Sequence, residues 1–192
     1  MHKAALSDNI AQMIEAGRRL WQRGLVAAND GNLSCRRDTG FLITRSGVSK
    51  GFLLPEDILE LDAEWQKVAG EGLISSEYRL HQALYAADPQ IRAIVHAHPP
   101  YATAYALSEA DLNDCPLEEI RIQLGRIARL PFAPAGSREV AELAAAGMAG
   151  ARAGLMLRHG ALTVGEDMEQ AYFRMEALEQ AAQIAWLAHG LR

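Results

Sequence analysis

Cysteine is scarce in this chain: two, Cys35 and Cys115, in 192 residues. Neither belongs to a Cys-x-x-Cys pair. A cysteine-built metal centre is therefore excluded, and reduced thiols in a cytoplasmic protein are expected. There is no apolar run of about 18 residues, so no membrane span is expected. The N-terminus, Met1-His2-Lys3-Ala4-Ala5-Leu6-Ser7-Asp8, lacks the charged-then-apolar build of a signal peptide. Basic clusters are also missing. Lys and Arg total 19 against 24 Asp and Glu, a formal net charge of −5, which argues against nucleic acid as a partner. An anionic ligand would have to be held by local groups, because the overall field repels it. Internal repeats and low-complexity linkers are absent as well.

What is present is ordinary globular material, 49% hydrophobic and 22% charged. One domain spanning residues 1–192 is expected from that length. Ile10, Met13, Ile14, Gly17, Leu20 and Trp21 recur at helical spacing and predict a helix over 8–23, with Ser7 as its cap and Gly24 past its end. Residues 33–37 and 41–44 around Asp38-Thr39-Gly40 read as a hairpin. Short strands at 58–62 and 66–68 follow. Ser75 or Ser76 caps a helix to about Ala87, with His81 as a surface or packing residue. Residues 101–107 read as a helix, Glu118-Glu119-Ile120-Arg121-Ile122 as the start of a strand, and 130–134 as extended. Ser137 caps another helix. Strands at 154–157 and 161–164 precede a last helix from Asp167 to about Ala188, with Trp186 among its inward residues. Helices and strands mixed along the chain predict an α/β or α+β arrangement of helices around one sheet.

The organising stretch is Ile91-Arg92-Ala93-Ile94-Val95-His96-Ala97-His98-Pro99-Pro100. It reads as a buried strand stopped by two prolines. Strand alternation puts Ile94, His96 and His98 on one face, with Ile91, Ala93, Val95 and Ala97 on the other. Two imidazoles on one face can grip one metal ion. A third, His159, waits downstream in Leu157-Arg158-His159-Gly160, and Ser75-Ser76-Glu77 offers a carboxylate. A lone His-x-His pair reads equally as packing. The Gly31-Asn32 and Ser46-Gly47 turns are concave, hydroxyl- and amide-bearing backbone of a kind that suits phosphate, though each by itself reads as an ordinary turn.

Together these pieces resemble the class II aldolase/adducin superfamily, most closely its L-fuculose-phosphate aldolase type, over residues 8–188. The carriers are Gly31-Asn32-Leu33-Ser34, Thr44-Arg45-Ser46-Gly47, Ser75-Ser76-Glu77, His96-Ala97-His98-Pro99 and Arg158-His159-Gly160-Ala161. The resemblance implies a three-layer α/β/α fold with a largely antiparallel central sheet. It implies one catalytic Zn²⁺ on His96, His98 and His159, an acid/base role for Glu77, and a phosphate pocket of Asn32, Ser46, Gly47, Ser75 and Ser76. The implied substrate is a sugar phosphate, cleaved to dihydroxyacetone phosphate and an aldehyde. The implied assembly is a homotetramer with active sites at subunit interfaces.

The chain departs from this pattern at one point. Aldolases of this type use a tyrosine to move the proton on the aldehyde's oxygen, yet the matching stretch, Glu118–Leu124, has none, and no Tyr occurs between Tyr105 and Tyr172. Arg121 and Arg126 are candidates for contacts in that half of the substrate and read equally as surface charges. The same scaffold supports sugar-phosphate epimerases, methylthioribulose-phosphate dehydratases and decarboxylases of oxo-acid phosphates. Adducin-type binding domains share the fold but lack the histidines. A cupin-like barrel could also carry a His-x-His site, but the helices at both ends argue against it.

Overall fold

The computed structural model describes residues 2–114 and 117–191; Cys115 lies outside the described residues. Helix α1 (His2–Gln22) starts ahead of Ser7, so Ser7 lies within the helix and does not cap it. Its end is as read: Gly24 is left-handed at φ +68°, Leu25 N–H reaches the Leu20 carbonyl, and Gly24 N–H reaches that of Trp21. A glycine just past a helix permits this double closure.

Strands β1 (Asn32–Arg37) and β2 (Gly40–Thr44) make the expected hairpin, followed by β3 (Ile58–Leu61) and β4 (Lys67–Ala69). Next come α2 (Tyr78–Ala87), β5 (Ala93–Ala97) and α3 (Pro100–Ala106). The rest is α4 (Glu118–Leu124), β6 (Ile127–Leu130), α5 (Arg138–Gly147), β7 (Ala153–Met156), β8 (Gly160–Gly165) and α6 (Met168–His189). The strands form one eight-stranded sheet, β4-β3-β2-β1-β5-β8-β7-β6. Its pairs are antiparallel except β6–β7.

Strand alternation sorts the core into two layers. Ala93, Val95 and Ala97 of β5 join Leu33, Cys35, Met175 and Leu178 on the side of α1, α3, α4 and α6. Ile94 joins Leu80, Leu84, Val140, Ala144 and Leu162 on the side of α2 and α5. The fold is thus α/β/α with a mostly antiparallel sheet, as expected. Ile91 precedes the regular strand and packs on the α2 side, opposite to the face read for it. Helix α2 has ten residues, too few to be stable alone in water. Leu80 and Leu84 are essentially fully buried, each contributing roughly 1.5–3 kcal/mol relative to exposure. Docking therefore holds α2 in place, and with it the residue at its start, Glu77.

Further expectations are corrected: the cap position of α2 is Glu77, not Ser75 or Ser76, and two later readings also change. Residues 118–124 are helical, and Ile120 and Leu124, one turn apart, face the core while Ile122 is 70% exposed. The Ile-Arg-Ile alternation imitates a strand, but burial at spacing four selects the helix. Trp186 is exposed and lies against the Tyr101 ring; α6 has passed the edge of the core there. Among the described residues, no helix is long and apolar enough to cross a membrane.

Candidate active site

Strand register assembles the histidines. Asn32 of β1 pairs with His96 of β5. Across the other edge of β5, His96 pairs with Leu162 and Ala97 with Ala161. Continued by one residue, that register sets His98 beside Gly160. A Cβ on Gly160 would lie 2.4 Å from His98 Cδ2 and 2.6 Å from the Ala97 carbonyl oxygen, so glycine is what lets the chain pass. His159 arrives on a turn in which Arg158 is left-handed at φ +61° and His159 N–H bonds the Met156 carbonyl at 3.0 Å. The three imidazoles bring ligand atoms to within 4.8 Å of one another.

His96 and His98 each have an outward partner. His96 Nδ1–H donates to the Ala161 carbonyl at 2.9 Å, leaving the Nε2 lone pair facing inward. His98 Nδ1 lies 3.5 Å from Asp30 Oδ2. Partners behind an imidazole of this kind orient it as a ligand. His96 Nε2 and His98 Nε2 are 3.2 Å apart, a distance at which two bare nitrogens repel unless a proton or a cation lies between them. The donor set fits a divalent ion. Asp30 was not singled out in the sequence, where its sole signal is its place in the Asn29-Asp30-Gly31-Asn32 turn. That turn lies close on β5 because Gly31 is left-handed, and a Cβ there would meet the His96 carbonyl oxygen at 2.6 Å. Buried Lys50 braces it from below, donating Nζ–H to the Asn29 carbonyl at 2.9 Å.

Glu77 stands at the N-terminal boundary of α2, yet its side chain makes no cap bond. It turns toward the imidazoles. Oε2 is 3.1 Å from His96 Nε2, Oε1 is 3.4 Å from His159 Nε2, and Asn32 Nδ2 donates to Oε2 at 2.9 Å. Burial pushes this carboxyl up, but His96 above all, with His159 and Asn32, outweighs burial and holds it well below the usual carboxylate range. Burial, then repulsion from His96, presses His159 down to about 4, and the same two causes lower His98. Both are therefore neutral near pH 7, the form in which imidazole binds metals. Burial opposes protonation of His96 as well, but Glu77 draws its pKa upward. A proton on His96 Nε2 and a cation at that point are alternatives.

The segments that carry the residues expected around a phosphate, 45–47 and 73–76, meet at one antiparallel bridge. Ser46 N–H bonds the Leu73 carbonyl at 2.9 Å and Arg45 bridges antiparallel to Ile74, so Ser46 stands opposite Leu73 and Ser75 lies on the other side of that bridge. Ser46, Gly47 and Ser76 are exposed and Ser75 is buried. Asn32 is placed differently. It is buried between Glu77 and His81, its Nδ2 on the former and its Oδ1 2.5 Å from Nε2 of the latter. His81 itself is fully buried; its position four residues after Glu77, on the same helical face, was the available signal. Arg126 is spent on the Gly147 and Ala149 carbonyls at 3.0 and 3.1 Å. With Arg121 it lines a cleft of about 580 Å³ that contains none of the histidines.

Residues 11–186 match the family described as Class II Aldolase and Adducin N-terminal domain. The chain belongs to this class II aldolase family. The L-fuculose phosphate aldolase of Methanococcus maripaludis is 30% identical over 184 residues, 96% of this chain and 99% of that protein. A methylthioribulose-1-phosphate dehydratase of Gluconobacter oxydans is 36% identical over 180 residues, covering 88% of this chain and 86% of that one. The solved structure of the L-fuculose-1-phosphate aldolase from Thermus thermophilus superimposes with a TM-score of 0.84 at 35% identity, over 96% of this chain and 95% of that one. Class II aldolases are metal-dependent lyases, and His96, His98 and His159 are the group among the described residues that can hold the metal.

Proposed function

We propose that this chain is a zinc-dependent aldolase. It cleaves a ketose 1-phosphate of the L-fuculose 1-phosphate kind to dihydroxyacetone phosphate and an aldehyde. The observation that carries the reading is the convergence of His96, His98 and His159 on one point, with the Glu77 carboxylate oxygens 3.1 and 3.4 Å from two of them.

The three imidazoles would hold Zn²⁺, which when bound supplies Lewis acidity for the negative charge that develops on the substrate's carbonyl oxygen. Ser46, Gly47, Ser75 and Ser76 bind the phosphate and fix the carbonyl relative to Glu77, whereas Asn32, expected with them, holds the Glu77 carboxylate. In cleavage, Glu77 delivers a proton to the carbon left behind when the carbon–carbon bond breaks. In the condensation direction the same carboxylate removes that proton. The proton on the aldehyde oxygen has no family tyrosine to go to, so water or another group of this protein accepts it. We take the working form to be a homotetramer, as the family resemblance implies, in the cytoplasm, as the sparse cysteines lead us to expect.

The missing tyrosine and the similarity to a methylthioribulose-1-phosphate dehydratase favour a second reading. Glu77 would again take the proton beside the carbonyl, but the neighbouring hydroxyl would leave as water and no carbon–carbon bond would break. One experiment separates the two. The zinc-loaded protein is incubated with L-fuculose 1-phosphate and methylthioribulose 1-phosphate, and products are followed by NMR alongside a coupled triose-phosphate assay. Dihydroxyacetone phosphate and an aldehyde support the aldolase; a dehydrated ketone from the second substrate overturns it in favour of the dehydratase. No conversion of either counts against both.

A further inference from the structure

Behind Glu77 runs an unbroken line of buried polar groups. Tyr85 OH is 2.9 Å from Ser34 Oγ, and Ser34 Oγ is 2.6 Å from His81 Nδ1. His81 Nε2 is 2.5 Å from Asn32 Oδ1, and Asn32 Nδ2 is 2.9 Å from Glu77 Oε2. Ser34 and His81 are wholly buried, and Asn32 and Tyr85 are 4% and 3% exposed. The line is built by two elements. Glu77, His81 and Tyr85 recur one helical turn apart along α2, and Asn32 and Ser34 alternate onto the facing side of β1.

The hydrogens along this line can run in two directions. With the proton on His81 Nε2, His81 donates to Asn32 Oδ1 while Nδ1 accepts from the Ser34 hydroxyl, which accepts from Tyr85. Asn32 then turns an N–H toward Glu77. With the proton on Nδ1, every bond reverses: Asn32 must give its N–H to His81 and turn its carbonyl oxygen onto the Glu77 carboxylate. Two acceptors would then face each other in a buried site, which is costly. The charge on Glu77 therefore selects the first direction. Burial, helped by the His96 charge, presses His81 down to about 3, so the ring is neutral at ordinary pH and keeps one donor and one acceptor. At the far end, Glu77 Oε1 is buried without a hydrogen-bond partner.

We propose that His81 is a positioning residue for proton transfer at Glu77: it locks the Asn32 carboxamide so that Oε2 is anchored and Oε1 is the oxygen that carries the proton. This rests on the function proposed above. His81 touches neither the imidazole cluster nor the Ser46-Gly47 and Ser75-Ser76 turns, so its effect should fall on turnover and spare binding.

The test compares the full-length zinc-loaded protein with His81→Leu and His81→Gln. His81→Leu leaves Asn32 Oδ1 without a donor, and kcat per folded molecule is expected to fall about 10- to 100-fold. KM and metal content should stay close to wild type. Deuterium exchange from solvent into dihydroxyacetone phosphate, which reports the Glu77 proton step alone, should slow in parallel. His81→Gln, whose amide N–H can reach Asn32 Oδ1, should recover most of the loss. An unchanged kcat in His81→Leu, or equal losses in both variants after correction for folded fraction, overturns the proposal. Separately, NMR of protein labelled with ¹⁵N-histidine should find His81 in the Nε2–H tautomer; the Nδ1–H tautomer overturns the proposal whatever the activity. If the wild type neither cleaves sugar phosphates nor exchanges deuterium, the proposed function fails and the tautomer decides the orientation of Asn32 by itself.

Discussion

Glu77 Oε2 and His96 Nε2 lie 3.1 Å apart, joining the start of α2 to the end of β5 at the point where the other two imidazoles converge. The contact sets the charge state of both groups: the carboxyl is held ionised and the imidazole is drawn toward protonation. Replacing Glu77 by Gln keeps the shape and removes the base. Turnover of the wild-type substrate should fall about 10²- to 10⁴-fold, while metal content per chain stays near that of the wild type. Steady-state kinetics beside elemental analysis of the same preparations check this.

Gly160→Ala tests the register that delivers His159. The new Cβ meets the Ala97 carbonyl, which is backbone and cannot swing aside, as well as the His98 ring. Overpacking of this kind costs about 1–3 kcal/mol. The displaced ring should also weaken metal binding. Thermal melts with and without added zinc check both effects. The metal-free variant should melt below the metal-free wild type, and the stabilisation that zinc gives through binding the native state should shrink.

Stability should depend on pH through His81. The ring is buried and held at about 3 in the native chain, against an ordinary value of 6.5. Between these values the unfolded chain binds a proton there and the native chain does not, so stability falls as pH drops. The slope from this one group is up to about 1.4 kcal/mol per pH unit. Glu77 acts in the same direction at lower pH: its carboxyl is held below the usual range, so its contribution is complete above that range and is lost on further acidification. Denaturant titrations of the metal-free protein from about pH 7 to about pH 5 should show the His81 slope added to that of His159, which is also held low, and His81→Gln should reduce the total by the His81 share.

Asp167 caps α6, its Oδ1 accepting the Gln170 N–H at 2.7 Å. Asp167→Ala should destabilise the fold by about 1 kcal/mol and lower the melting temperature. Because α6 lies on the opposite side of the sheet from Glu77, kcat and KM should hold. Calorimetry and kinetics on one preparation check the pair of outcomes.

Features whose cause is local in the chain were legible without a structure. Gly24 ends α1, Ser137 and Asp167 start α5 and α6 through bonds to backbone a few residues on, and the β1–β2 hairpin turns where Asp38-Thr39-Gly40 stands. His96, His98, His159 and Glu77 were nameable because their residue types and flanking motifs carry chemistry by themselves. Misreadings occurred where a distant partner decides. Residues 118–124 alternate like a strand and become a helix against α6. Trp186 continues an inward stripe past the point where there is a core to enter.

By itself, then, the order of residues determined the fold class, most element boundaries and the identity of the four groups at the candidate centre, since caps, turns and side-chain alternation act over a few residues. Tertiary structure alone decided that Asn32 faces Glu77, that Asp30 backs His98, and that His81, readable as a surface or a packing residue, is a buried hydrogen-bonded link. Each of those facts is a hydrogen bond or ion pair between elements far apart in the chain, and its direction follows from strand register and helix docking that no single segment encodes.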